Sequence, residues 1–231
     1  MWRFRYEVGF VTVKELLLWM IDEGKSLELL AFTAWGVAAI ARTSLVQYRT
    51  DLQVSEAQME CSSMGGNRWT APPYGFVKIN FDGANAESSR MSGVGVVIRD
   101  SEGAVLASCA KKLSQSFKAE DMEALAALKA ISFAHELGFQ NIVLEGDALN
   151  LIQALKAQEQ NLLPWGLLVE DVKEYAKKFI RVLYSHVKRN GNSVAHNLAK
   201  YALRIPDFQV WMEDVPSHIV QFLQLDVTHL R

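Results

Sequence analysis

The chain has 231 residues, 50% of them hydrophobic and 22% charged, and its formal net charge is -2. That length allows one ordinary domain with appendages, or two small domains, and the near-neutral balance excludes binding of polyanions through bulk charge. Two cysteines, Cys61 and Cys109, lack the close Cys or His spacing of a zinc site; such scattered thiols suit a reducing, intracellular setting, nuclear or cytoplasmic.

The first residues, Met1-Trp2-Arg3-Phe4, lack the basic-then-apolar order of a secretory signal. Residues 13–22 and 27–49 read as helices rich in Leu, Ala and Trp, the second apolar on almost every face and so suited to a protein partner. Its apolar run 29–41 is shorter than the roughly 18 residues of a spanning helix, and no membrane partner is expected. Cys61 to Asn67 is small and polar, as linkers are. The expected organisation is a helical extension and linker over 1–68, an α/β domain over 69–205, and a C-terminal tail over 206–231.

Pro72-Pro73 favours extended chain, and three strands are predicted after it, over 76–82, 93–99 and 104–111. Gly83-Ala84-Asn85 and Asp100-Ser101-Glu102-Gly103 carry the turn chemistry between them. A helix over 118–137 stops at Gly138, followed by a short buried strand over 141–145 and a helix from Asp147 to Ala157. Another helix covers 165–178, and a strand 179–187. Asn192 is placed to cap a last helix over 193–203. The order βββαβααβα predicts a mixed five-stranded sheet, its first three strands antiparallel, flanked by helices. The tail shows no period.

Three acids stand out in this frame. Asp82 ends the first strand, Glu123 lies in the Ala-rich helix, and Asp147 ends the fourth strand. Each has a bland alternative: Asp82-Gly83 as a turn, Asp147 as a helix cap, Glu123 as an exposed helical residue. Together they form an ordered pattern. Strand, helix and strand each deliver one carboxylate, and a few carboxylates plus phosphate oxygens make a magnesium site. Two such ions about 4 Å apart can serve both the attacking and the leaving oxygen of a phosphodiester.

Six ordered blocks carry a resemblance. They are Trp69-Thr70-Ala71-Pro72-Pro73, Val77-Lys78-Ile79-Asn80-Phe81-Asp82-Gly83-Ala84, Gly93-Val94-Gly95-Val96-Val97-Ile98-Arg99-Asp100, Met122-Glu123-Ala124-Leu125-Ala126, Val143-Leu144-Glu145-Gly146-Asp147, and the run from His186 to His196. Residues 69–203 resemble the ribonuclease H domain, and more narrowly the plant reverse-transcriptase-like branch found in non-LTR retroelements and as free-standing genes. The resemblance implies a ribonuclease H-like fold and a Mg2+- or Mn2+-dependent endonuclease that cuts the RNA strand of RNA–DNA hybrids. It places Asp82, Glu123 and Asp147 on the family's first three metal-binding acids. In Asn192-Ser193-Val194-Ala195-His196-Asn197-Leu198-Ala199, His196 stands where the family's fourth acid would be. Histidine is a poor magnesium ligand but can orient a water or carry a proton, so His196 joins the three acids as a catalytic candidate. The alternative is a catalytically weak or inactive retroelement-derived domain that binds nucleic acid or protein.

Basic and acidic residues nearly balance across 69–203, so hybrid binding requires clustered charge. Lys111, Lys112 and Lys118 form one expected cluster; Lys173, Lys177, Lys178 and Arg181 form another. By analogy, Gly83, Ala84 and Asn85 allow close approach to 2′-hydroxyls. Lys188, Arg189 and Asn192 are further nucleic-acid candidates, and His186 is a candidate proton shuttle.

Overall fold

The computed structural model describes residues 67–86, 90–157 and 164–227. The expected N-terminal helices and most of the linker lie outside these residues. β1 (Val77–Ala86) alternates strictly: Lys78, Asn80 and Asp82 point to one side, Ile79 and Phe81 to the other. Both sides are buried, so β1 needs cover on each, and its neighbours provide it. β4 (Asn141–Gly146) runs parallel to it on one edge and β2 (Met91–Arg99) antiparallel on the other. β3 (Val105–Leu113) extends the antiparallel side, and β5 (Arg181–His186) pairs parallel to β4.

The predicted mixed sheet, with its three antiparallel strands first, is present, but it has six strands rather than five. Phe208–Met212 forms β6 against β3, giving the order β5-β4-β1-β2-β3-β6. A strand that alternates weakly at a sheet edge needs only a partner's free backbone groups, and these come from residues Ala107 to Lys111, about a hundred positions earlier. The turn expected at Gly83-Ala84-Asn85 is also corrected. Those residues continue β1 opposite Val94, Gly93 and Ser92, so Asp82 sits mid-strand.

One side of the sheet is covered by α1 (Ala119–Glu136), with α2 (Leu149–Lys156) and α3 (Gly166–Ala176) beside it. The buried alanines of α1 at 124, 126, 127, 130 and 134 let it lie close against Ile79, Phe81, Val96 and Ile98. α1 ends where Gly138 takes φ 80°, a conformation that is cheap only without a Cβ. Cys109 is buried in this core, and burial pushes its thiol up to about 12, which leaves it inert.

The other side is covered by α4 (Ser193–Ala202). α4 lies directly on β2 because Gly93 and Gly95 leave room for the backbone of Ala195 and Ala199; any Cβ on either glycine would collide with it. Gly95 pairs with Asp82, so this close seat brings residue 196 to the acid. The segment after β6 folds back over α4: Val215 and Ile219 pack with Val97, Val194 and Leu198, and α5 (Val220–Val227) follows.

Candidate metal centre

Asp82, Glu123 and Asp147 each present a carboxylate oxygen to a common point, all of these atoms lying within 4.8 Å of one another. Asp82 comes from the central strand and is fully buried. Glu123 comes from the first turns of α1, whose Met122 backbone rests against Gly83. Asp147 follows β4 directly. The bland alternatives fail on contacts. Asp147 does not cap α2, whose N-cap is Ala148, and Glu123 is not exposed.

The electrostatics are unfavourable without a cation. Burial first, then the charges of Asp82 and Asp147, pushes the Glu123 carboxyl up to about 9. Burial likewise raises Asp82, and the hydrogen bond from His196 opposes the rise. Asp82 Oδ1 and Glu123 Oε2 are buried and find no hydrogen-bond partner among the described residues. Buried, unpartnered carboxylate oxygens facing other acids are expensive to maintain. A hard divalent cation binds such oxygen donors and removes that cost, so these three residues fit one.

His196 faces this group. Its Nδ1 lies 2.6 Å from Asp82 Oδ2, and an ionised carboxylate only accepts, so Nδ1 carries the proton. Arg189 donates from Nε to Asp147 Oδ2 at 3.0 Å, with its side chain 63% exposed. His186 Nε2 is 3.2 Å from the carbonyl of Asp147. Lys188 is exposed beside them.

The capping expected of Asn192 is corrected: it occupies the N-cap position of α4 but makes no capping bond, and its side chain is buried. Its amide donates to the Phe81 carbonyl at 2.8 Å, and its oxygen accepts from Asn80. Asn80 takes the oxygen that would otherwise accept from the first-turn N–H groups of α4, so no cap is made. Asn85 is exposed, yet its amide donates to the Phe117 carbonyl and its oxygen accepts from Ser92. Gly83 is explained by the approach of α1 to β1. Within the expected basic clusters, Lys111 pairs with Asp207, Lys173 with Glu170 and Lys177 with Glu174.

Sequence reasoning missed the network behind the acids. Lys78 meets Glu145 at 2.9 Å, Arg99 meets Asp226 at 2.8 Å, and Arg99 stacks over Trp69 at 3.8 Å. Asn80 accepts from Trp69 and Arg99 and donates to Glu145 and Asn192. The signal available was the i, i+2 spacing of Lys78, Asn80 and Asp82, three polar side chains on one side of an otherwise apolar strand.

A family model described as reverse transcriptase-like matches residues 80–202. An Arabidopsis thaliana protein named as a ribonuclease H is 28% identical over 137 residues; the match covers 59% of this chain, which spans only 22% of that curated relative's length. Among solved structures, ribonuclease H1 of the archaeon Halobacterium salinarum is 25% identical with a TM-score of 0.52, covering 56% of this chain and 98% of its own. LC11 ribonuclease H1, solved in complex with an RNA/DNA hybrid, is 16% identical with a TM-score of 0.51 and covers 55% of this chain and 96% of its own; that likeness is one of fold.

Proposed function

We propose, from the premise that this chain belongs to the reverse transcriptase-like family and carries a ribonuclease H-like domain, that it is a divalent-metal-dependent endonuclease hydrolysing the RNA strand of RNA–DNA hybrids. The observation that carries this function is the meeting of Asp82, Glu123 and Asp147, with buried oxygens left unpartnered, at the exposed lip formed by Lys188 and Arg189. Bound by the three acids, Mg2+ or Mn2+ would supply Lewis acidity and positive charge against a phosphodiester.

The chain's own residues have distinct parts in this scheme. His196 fixes the rotamer of Asp82 through its Nδ1 proton, so the open Oδ1 keeps one direction. Arg189 orients Asp147, and Lys188 adds a second cation where a phosphate backbone would pass. His186, beside the Asp147 carbonyl, is placed to hand a proton to solvent. Asn192 holds the Phe81 carbonyl and with it the backbone that presents Asp82.

The test is cleavage of a labelled RNA–DNA hybrid with Mg2+ or Mn2+ by the wild type and by Asp82→Asn. Loss of cleavage in the variant, with an unchanged circular dichroism spectrum, is the expected result. Equal cleavage by both proteins rejects the function. A second function, binding of nucleic acid without hydrolysis, is favoured by one observation: His196 and Arg189 already occupy an oxygen on each of two acids. Hybrid binding that needs no cation and gives no turnover would select it.

A further inference from the structure

Three carboxylates offer six oxygens, and the protein has already committed two of them. Asp82 Oδ2 accepts from His196 Nδ1 at 2.6 Å, and Asp147 Oδ2 accepts from Arg189 Nε at 3.0 Å. Asp82 Oδ1 and Glu123 Oε2, in contrast, are buried and have no hydrogen-bond partner among the described residues. Asp82 is wholly buried, so its open oxygen has no recourse to water.

Two divalent ions need more oxygen donors than one, and Asp82, the most buried of the three acids, has one of its two oxygens already taken. Its second oxygen faces an N–H, and a ring that is donating there presents positive rather than negative charge. The position of a fourth acid holds this same ring, so the far side of Asp82 carries no carboxylate for another ion. The charge balance points the same way. With a cation bound and all three carboxylates thereby ionised, they and the permanently charged Arg189 carry two negative charges, which one divalent cation cancels. A second would leave an excess positive charge in a largely buried site, which is costly.

Building on the proposed metal-dependent function, we infer that this centre holds a single divalent cation, among Asp82, Glu123 and Asp147, and that the His196 N–H stands in for the second. His196 is a positioning residue in this arrangement. It restricts Asp82 to one open oxygen and thereby sets the stoichiometry.

The measurement is a Mn2+ titration of the full chain, with free Mn2+ followed by electron paramagnetic resonance, so the readout is independent of cleavage. The wild type is expected to take up one ion per chain, and His196→Asp two, since that change replaces the donor with an acceptor. Two ions in the wild type overturn the inference while leaving the metal-dependent function standing. No ion in the wild type overturns both. An unchanged single ion in a folded His196→Asp overturns the part assigned to His196.

Discussion

On β1 and the strands beside it, two groups of charged residues lie a few positions apart and are built in opposite ways. Around Asn80, each buried charge meets its opposite, Lys78 with Glu145 and Arg99 with Asp226, and Asn80 bonds to Glu145 and Asn192; only Arg99 Nε finds no partner among the described residues. Around Asp82, three carboxylates meet one another, and two buried oxygens meet nothing. Glu145 and Asp147 are two residues apart, yet Glu145 is held by the buried Lys78 and Asn80 while Asp147 is held by an exposed arginine. Charge compensation, not residue type, separates the acids that hold the fold from those that await a ligand. The compensated group spends its electrostatics on stability. The uncompensated group keeps them available for a cation.

The comparison can be broken most severely at its compensated end. Asp226→Ala leaves the fully buried Arg99 without its carboxylate, and loss of one partner of a buried pair costs about 3–5 kcal/mol. Urea denaturation should therefore show a large fall in midpoint, although residue 226 lies beyond the matched region 80–202. A loss below about 1 kcal/mol would mean that the pair is not buried in solution.

The uncompensated end predicts a pH dependence of opposite character. Glu123, ordinarily near 4.5, is raised to about 9 by burial and by its acidic neighbours. A raised carboxyl favours folding while protonated, so its contribution is full below the unfolded value and is lost as pH rises through the folded one. The melting temperature of the cation-free protein should accordingly fall between about pH 5 and pH 9, and Mn2+ should restore it most at the alkaline end. Glu123→Gln should flatten that slope and raise stability at pH 8 by about 1 kcal/mol, roughly 2–4 °C in a chain of this size. A cation-free melting temperature that is level or rising across this range would show that the acids are not in mutual contact.

The smallest effect sharpens the contrast from outside. Lys177 and Glu174 also pair, but both are about 70% exposed. Lys177→Ala should leave the urea midpoint essentially unchanged. A loss comparable with that of Asp226→Ala would show that burial is not what separates the pairs.

Much of the fold was legible because its signals are local. The alternation of Ile79 and Phe81, the alanine spacing of α1 and the stop at Gly138 each lie within a few residues. The convergence of Asp82, Glu123 and Asp147 was legible too, since strand, helix and strand each place one acid near the same end of the sheet. The misreadings share a cause. Asp82-Gly83 and Asn192 carry local turn and cap chemistry, but Gly83 is claimed by the approach of Met122 and Asn192 by the Phe81 carbonyl. Phe208–Met212 has little pattern of its own and becomes a strand because β3 offers it an edge.

The amino-acid sequence by itself determined the element types, their order through Ala202 and the identity of the clustered acids, because periodicity and backbone preference act over one or two turns of chain. Tertiary structure alone decided which charges are neutralised: Arg99 finds Asp226 across 127 positions, and His196 finds Asp82 across 114. Desolvation sets the cost of a charge, and desolvation depends on which distant segments close over it.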